Sequence, residues 1–231
     1  MTDPLGIART CYPNWNQSMK KFLMDLRTTA WRTAGARYNA ARRLKQREWL
    51  STFSLAALSA LSIAVAFAQK VYSPTSGTPL DNYLSSLAVA LGTFLLVISL
   101  MEWGAGYGAR AEALHRNAEL LTAFQLKLAQ NLAQIDAGKE LTDKDVDDLR
   151  LEYETIKDKC PYNHMPGDDA LFRAHKRSAE EFTDTNGKPL ISCHMALLMR
   201  ARWHVSELWF FGIVWILVLG ALAYSWWIPK S

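Results

Sequence analysis

Three long stretches of the chain contain no Asp, Glu, Lys or Arg. They cover residues 49–69, 82–101 and 208–229 and are 21, 20 and 22 residues long. The hydrocarbon core of a bilayer is about 30 Å thick and is crossed by about 20 apolar helical residues. Each stretch therefore predicts a transmembrane helix. The first stretch contains several serines, so a buried helix of a soluble protein is its alternative, but such helices usually have only about 10 to 14 apolar residues.

Aromatic side chains lie at or near the ends of the three stretches. Tryptophan and tyrosine rings favour the headgroup level of a membrane, because one part of the side chain is apolar and the other is polar. The residues concerned are Trp49, Tyr83, Trp103, Tyr107, Trp209, Trp226 and Trp227. Their positions support three membrane spans.

The polar segments next to the first two spans have helical periodicity. Between Leu23 and Leu44, apolar residues recur three and four positions apart, which predicts a helix from about residue 18 into the first span. After the second span, a seven-residue repeat comprises Leu114, Leu121, Leu128 and Ile135, with Asn117, Phe124 and Asn131 at the intermediate positions. The two arms would be about 46 and 52 Å long at about 1.5 Å per residue. They are predicted to pack antiparallel, either with each other as a stalk or with the arms of another subunit.

Shorter elements are predicted between the second arm and the third span. The periodicity ends near residue 138, and Thr142 is placed to cap a helix from 143 to about 159. Prolines and a glycine predict a loop at 160–169, followed by a helix over about 169–182. A last helix is predicted from about residue 190 into the third span.

Together these elements predict an all-α integral membrane protein. A transmembrane helical hairpin is continued by long cytoplasmic helices and followed by a third, C-terminal transmembrane helix. The predicted organisation is a basic cytoplasmic helical arm, the first span, an external loop, the second span, a cytoplasmic helical region and the third span, at residues 1–48, 49–69, 70–81, 82–101, 102–207 and 208–229.

The distribution of charge predicts the orientation. The chain has 231 residues and a formal net charge of +4, but residues 1–48 alone hold ten Lys and Arg against three Asp and Glu. Basic residues near the ends of spans are retained in the cytoplasm. We therefore expect a multi-pass protein of the cell inner membrane with its N-terminus in the cytoplasm and its C-terminus outside. The basic charge favours membrane lipids as partners, and no direct binding of nucleic acid is predicted.

One acidic group resembles a calcium loop. Asp143, Asp145, Asp147 and Glu154 match four positions of an EF-hand, but the position that requires glycine for the sharp turn is Asp148. The same residues fit the solvated face of a helix, which is the favoured interpretation.

The cysteines and histidines lack the spacing of a zinc site. Cys160 with His164, and Cys193 with His194, contain no paired Cys-x-x-Cys. Three cysteines predict no disulfide framework, and no phosphate-binding loop or nucleophile elbow occurs. We therefore expect no catalytic residues, no metal and no cofactor, and a protein that is not an enzyme.

Small and hydroxyl-bearing residues in the first two spans form candidate packing or pore-lining faces. Small residues let helix backbones approach closely, and hydroxyl groups bond across helices or line water. The candidates are Ser51, Ser54, Ser62, Ser85, Ala88, Gly92 and Ser99. No charged residue lies within a span, which disfavours a proton relay, a coupled transporter and a voltage sensor. Three glycines after the second span, Gly104, Gly106 and Gly108, are candidate hinge positions.

Two segments carry a resemblance to a known family. The pre-membrane helix WRTAGARYNAARRLKQREWLSTFSLAALSALSIAVAF, the short loop, the second span and the long helical return resemble SLATT domains. These are two-transmembrane effector domains associated with SMODS nucleotidyltransferases and SLOG proteins. The segment YETIKDKCPYNHMPGDDALFRAH is similar to the family's Asn-His element, with Asn163 and His164 ahead of Asp168 or Asp169. The resemblance covers about residues 18–182, so the third span is additional to the two-span core.

The resemblance implies a membrane effector of a bacterial anti-phage conflict system. Such a protein stays silent until a partner senses infection, then oligomerises, opens a pore or disrupts the inner membrane, and stops growth or kills the cell. The implied partner is a nucleotide-messenger synthase or, in some branches, a reverse transcriptase. Two other functions stay open: a non-conducting membrane scaffold that docks a cytoplasmic partner, and a hydrolase that uses His164 and Asp168.

Overall fold

The computed structural model of the chain describes residues 13–72 and 76–227, and within them all side chains except those of residues 13–16, 72, 207 and 226. The helices are α1 (Pro13–Tyr72), α2 (Pro79–Ala105), α3 (Tyr107–Asp136), α4 (Asp143–Asp158), α5 (Pro166–His175) and α6 (Cys193–Tyr224), with short 3₁₀ turns at Glu180–Phe182 and Ser225–Trp227. The described part of the chain contains no strand, only an isolated bridge between Thr183 and Pro189. The predicted all-α fold is confirmed.

The helices form two compact units. The first, here called the arm unit, comprises residues 1–41 and 112–199, and the second, the span unit, comprises residues 42–111 and 200–231. The domain organisation predicted from the sequence stays a prediction. Helices α1, α3 and α6 contribute residues to both units.

In the arm unit, α1 and α3 pack antiparallel. Lys20 forms an ion pair with Asp136, with 2.5 Å between Nζ and Oδ1, whereas the ring of Tyr38 lies 5.2 Å from that of His115. The core between them also includes residues of α4 and is formed by Leu23, Leu26, Ala30, Ala34, Leu121, Phe124, Leu128, Leu132, Leu149 and Ile156. The two arms thus pair within one chain, and the seven-residue repeat marks the buried face of α3.

Helix α4 begins where its sequence predicts. The Thr142 side chain accepts a hydrogen bond from the Asp145 amide, and Asp145 Oδ2 accepts one from the Thr142 amide at 2.9 Å. This reciprocal capping box satisfies two amides at the helix start. The predicted N-terminal cap is therefore confirmed.

The segment after α4 differs from its prediction. The loop ends at residue 165, because Pro166 occupies the first turn of α5, where a missing N–H carries no penalty. The predicted loop at 160–169 is therefore too long. The predicted helix over 169–182 is also wrong, since α5 ends at His175 and only a 3₁₀ turn follows at 180–182.

The span unit contains three long apolar helical segments. Residues of α1, α2 and α6 share a core formed by Leu58, Val65, Leu80, Leu84, Leu87, Leu91, Ile98, Val214 and Val218. Polar contacts also join α6 to the other helices: Tyr83 donates to the Ala221 carbonyl at 2.6 Å, and Trp215 Nε1 donates to Ser54 Oγ at 3.2 Å. The third predicted span is thus an integral part of this bundle.

In the part of the chain that the structure describes, two helical segments, Gln17–Val71 and Pro79–Asp136, are long and apolar enough to cross a membrane. A third qualifies if the two parts of α6, Cys193–Ser206 and Leu208–Tyr224, are taken as one bent span, with 56° between them. The helix predicted from about residue 190 thus begins at Cys193 and bends just before the apolar stretch.

Candidate functional site

A polar cluster lies where α1, α3, α4 and α5 meet within the arm unit. It is formed by Arg32, Arg37, Asn39, Asn117, His164, Asp168 and Asp169. Arg32 Nε and Nη2 donate to the two carboxylate oxygens of Asp169 at 2.6 and 2.7 Å. This two-pronged geometry matches a guanidinium to a carboxylate and fixes the first turn of α5 against α1.

A second part of the cluster holds the C-terminal end of α4. Arg37, only 3% exposed, donates to the Asn117 side-chain oxygen, and both its terminal nitrogens lie 3.4 Å from the Lys157 carbonyl. Asn117 Nδ2 donates to the Ile156 carbonyl at 2.5 Å. The last carbonyls of a helix have no partner within it. Side chains from α1 and α3 therefore complete the hydrogen bonding of α4.

The family-like motif is only partly gathered at this cluster. Asp168 is fully buried and accepts a hydrogen bond from the Met165 amide at 2.9 Å, while its backbone carbonyl accepts one from Asn39 at 3.0 Å. His164 is half-buried, and its Nδ1 is buried with no hydrogen-bond partner. Asn163 is exposed and accepts a hydrogen bond from the neighbouring His164 amide. His164 and Asp168 thus face the cluster, whereas Asn163 shapes the loop.

Burial and nearby charges shift the pKa values of several groups in the cluster, among them His164 and Asp169. Burial lowers the pKa of His164, and the positive charge of Arg37 lowers it further. Burial alone would raise the pKa of Asp169, but the hydrogen bonds and charge of Arg32 outweigh it and lower the pKa. At neutral pH the cluster thus combines a neutral imidazole with an ionised carboxylate.

An aromatic clasp, formed by Trp31, Phe172 and Phe182, seals α5 and the 3₁₀ turn against α1. Phe172 meets Trp31 edge-on with 4.9 Å between ring centroids, and Phe182 stacks on Trp31 at 5.9 Å. Gly35 makes this approach possible, because a Cβ there would overlap the ring of Phe172. The clasp and the Arg32–Asp169 pair together hold α5 against α1.

The structure does not bring the candidate metal-binding residues together into a site among the described residues. No group of three or more His, Cys, Asp and Glu is placed to hold a metal ion among the described residues. The four residues that match a calcium loop all lie along the single helix α4, so they cannot wrap an ion as a loop does. Asp145 instead caps that helix.

The candidate pore or packing residues differ in exposure and fall into three groups. Ser51 and Ser54 are buried in the span unit, Ser62 and Ala88 are half-buried, and Ser85, Gly92 and Ser99 are exposed along α2. Ser54 accepts the hydrogen bond from Trp215, and Ser85 Oγ lies 2.8 Å from its donor, Gln69 Nε2. That these residues line a pore stays a prediction.

The candidate hinge glycines differ in their surroundings. Gly106 adopts a left-handed backbone, with φ of 56°, and separates α2 from α3. A Cβ on Gly108 would lie 2.5 Å from Glu48 Oε1, whereas one on Gly104 would meet nothing within 4 Å. The break between α2 and α3 therefore lies at Gly106, and movement there stays a prediction.

Arg37 is one of the ten basic residues in 1–48 that predict the membrane orientation. That charge pattern gives no indication of its burial. A signal for its burial exists, since it follows Ala30 and Ala34 at helical spacing on the face of α1 that packs inward. Asn117 gives the same signal, because it belongs to the seven-residue repeat of α3. A polar residue on an apolar seam predicts a buried hydrogen-bond network.

Comparison with protein families identifies a family model that covers most of the chain. The family model described as SMODS and SLOG-associating 2TM effector domain family 5 matches residues 19–224. The matched region extends beyond the expected range of 18–182 and includes the third apolar helix. That helix therefore lies within the region the family model covers and is not an addition to it. No curated protein and no solved structure matches the chain significantly.

Proposed function

From the premise that the chain belongs to the SMODS and SLOG-associating 2TM effector domain family, we propose that it permeabilises the inner membrane of a bacterial cell during a phage infection. Membership makes it a membrane effector of conflict systems. The finer proposal is that several copies assemble, and that a partner switches the assembly from a closed to an open state, causing growth arrest or cell death.

One observation carries the proposal. Helix α1 runs without interruption from Pro13 to Tyr72, so one helix provides both the packed arm at 13–41 and the apolar stretch at 49–69. An uninterrupted helix transmits a rotation or a shift along its axis, as in one-turn and hinge-type switches. A partner that changes the packing of the arm would thereby alter the packing of the span.

The arm unit is the proposed receiver of the signal. It lies outside the three apolar stretches and contains most of the charged residues of the chain. The sensor partner proposed for it is a nucleotidyltransferase that makes a nucleotide messenger, or a reverse transcriptase system. The proposed orientation places this unit in the cytoplasm and the C-terminus outside.

The contacts of Asp168 support a non-enzymatic function. This carboxylate is fully buried and accepts the Met165 amide, so its role in the described structure is to cap α5. Asp168→Asn keeps an oxygen acceptor for that amide and removes the carboxylate. We expect Asp168→Asn to keep the growth-arrest activity, whereas a hydrolase that depends on this carboxylate would lose it.

The experiment that tests the proposal follows the membrane potential of bacterial cells after strong induction of the full chain. A potential-sensitive dye should report depolarisation before growth stops. The variant in which Gly104, Gly106 and Gly108 are all replaced by alanine should depolarise the cells less, because alanine at Gly106 opposes its left-handed backbone. The matched control is Gly212→Ala with Gly220→Ala, since a Cβ at either position meets nothing within 4 Å.

The scaffold alternative gives a different result in the same experiment. A non-conducting anchor would leave the membrane potential unchanged at every expression level, even where the protein is shown to be in the membrane fraction. If the glycine variants and the control all depolarise the cells equally, the hinge is wrong while permeabilisation stands.

A further inference from the structure

The first part of α6 has a buried face and an exposed apolar face. Ala196 and Trp203 are 3% and 5% exposed, whereas Leu197, Leu198 and Val205 are 65%, 65% and 62% exposed. At about 100° per residue, these three exposed side chains fall within an arc of about 100° on one side of the helix. Exposed apolar side chains grouped on one helix face are typical of an interaction surface.

Two arginines flank the exposed stripe. Arg200 lies about 60° to one side of Leu197 and Arg202 about 40° beyond Leu198 on the other side, at about 100° per residue, and both are exposed. An apolar stripe bordered by basic side chains is typical of helices that lie in a membrane interface. There the apolar side chains enter the acyl boundary and the arginines reach the phosphate groups.

Continuity with the membrane span identifies the occupant. The stripe lies on Cys193–Ser206, and the apolar segment Leu208–Tyr224 follows within two residues, after a bend of 56°. Trp209, at the start of that segment, is 59% exposed, as expected for a ring at the headgroup level. The end of Cys193–Ser206 therefore lies next to the start of the apolar segment, where lipid is available to cover the stripe.

We propose that Cys193–Ser206 is an interfacial helix that binds anionic phospholipid headgroups through Arg200 and Arg202, with Leu197, Leu198 and Val205 in the acyl boundary. The recognition is electrostatic, with roughly a fivefold preference expected for each arginine near an anionic surface. This lipid binding does not depend on pore opening or on a trigger, so it can be tested separately from the proposed function.

The position of the helix is tested by depth-dependent fluorescence quenching. The full chain, with serine at Cys11, Cys160 and Cys193, carries one fluorophore at Val205→Cys in liposomes of phosphatidylcholine and phosphatidylglycerol. Two matched positions calibrate the result: Ile216→Cys, 71% exposed in the apolar part of α6, and Leu126→Cys, 66% exposed in the arm unit. Quencher groups are placed either near the headgroup or deep in the acyl chains.

We expect the label at Val205 to be quenched mainly by the shallow quencher. The label at Ile216 should be quenched mainly by the deep quencher, and the label at Leu126 by neither. If the label at Val205 behaves like the one at Leu126, the helix lies in water or under protein, and the proposal is wrong.

Lipid selectivity is tested with brominated lipids at the same label. Brominated phosphatidylglycerol should quench the label at Val205 several-fold more effectively than brominated phosphatidylcholine at equal mole fraction, and the ratio should fall with salt. Arg200→Gln with Arg202→Gln should bring the ratio close to one. The control with the same change in net charge is Arg116→Gln with Arg150→Gln, two exposed arginines of the arm unit, which should leave the ratio unchanged.

Two results would overturn headgroup recognition. One is a ratio that the Arg200 and Arg202 variant does not alter. The other is a ratio that soluble glycerol phosphate brings close to one, since this would indicate a site for free phosphate. Both results come from fluorescence quenching and do not require the protein to permeabilise a membrane. They are therefore distinct from a failure of the proposed function.

Discussion

At the residue scale, Gly35 sets how closely α5 approaches α1. Its missing side chain leaves room for the Phe172 ring, which then meets Trp31 and Phe182. Aromatic contacts of this geometry contribute roughly 0.5–1.5 kcal/mol beyond the area they bury. A single methyl group at position 35 would therefore disturb the whole clasp.

Gly35→Ala should lower the free energy of unfolding by about 1–3 kcal/mol, because overpacking moves the Phe172 ring out of its contacts. Denaturant titration of the purified chain in mild detergent measures this change. Gly167→Ala, in the first turn of α5, is the matched control, since a Cβ there meets nothing within 4 Å. Equal stability of the two variants would show that the clasp does not depend on Gly35.

His164 gives the arm unit a pH dependence. Burial and the charges of Arg37 and Arg32 lower its pKa, and the carboxylates of Asp168 and Asp169 oppose them only in part. The unfolded chain then binds more protons than the folded chain below about pH 6.5, the ordinary value for histidine. The free energy of unfolding should therefore fall as the pH drops from 7 toward 5.

His164→Gln tests this dependence, because glutamine does not titrate. The free energies of unfolding of the two proteins should converge between pH 7 and 5 if the original loses stability that the variant keeps. The lowered pKa of Asp169 acts in a separate range, since stability that depends on it is lost only below about pH 4. Parallel curves between pH 7 and 5 would contradict the role of His164.

At the element scale, the ends of the helices are held in two different ways. The start of α4 is capped locally, by Thr142 and Asp145. Its end is held by Arg37 and Asn117, which are distant in the sequence. Local caps can be identified from sequence alone, whereas distant ones require the packed structure.

Thr142→Ala should lower the free energy of unfolding of the arm unit by about 0.5–2 kcal/mol, the usual cost of losing such a cap. Thr155→Ala is the control, because the Thr155 hydroxyl is exposed and donates only to the Leu151 carbonyl within the same helix. Urea titration in detergent compares the two variants. A loss for Thr155→Ala as large as that for Thr142→Ala would show that the cap is not the cause.

The same distinction explains which elements the sequence could predict. The seven-residue repeat correctly predicts the buried face of α3, because leucines at this spacing lie on one side of a helix. The limits of α5 were not predictable, because it has ten residues and is held by Arg32, Trp31 and Gly35 of a distant helix. Isolated helices of that length are marginal in water.

The candidate site was predicted less completely than the fold. His164 and Asp168 were identified and lie at the polar cluster, but the burial of Arg37 and its bonds to Asn117 and Lys157 were not foreseen. A charged residue near a predicted span fits membrane topology equally well, so its type alone does not reveal its contacts. Likewise, the small residues of the first two spans were grouped by helix face, and only the packing of α6 shows that Ser54 faces inward.

At the scale of the whole molecule, two units share continuous helices. The arm unit holds the polar cluster and the clasp, and the span unit contains the apolar helices that make this a membrane protein. A two-state protein without its trigger still populates the minor state to a small extent. An effector of the proposed kind should therefore open at a low but measurable frequency when no partner is present.

The most direct measurement is the electrical current across a planar lipid bilayer that contains the purified full chain. We expect rare, discrete steps of current, with a frequency that rises more steeply than the amount of protein because several copies form one opening. Insertion is verified on the same preparation by a fluorophore at Ile216→Cys that a deep quencher reaches. A flat current at every protein density, with insertion verified, would contradict permeabilisation and favour the non-conducting scaffold.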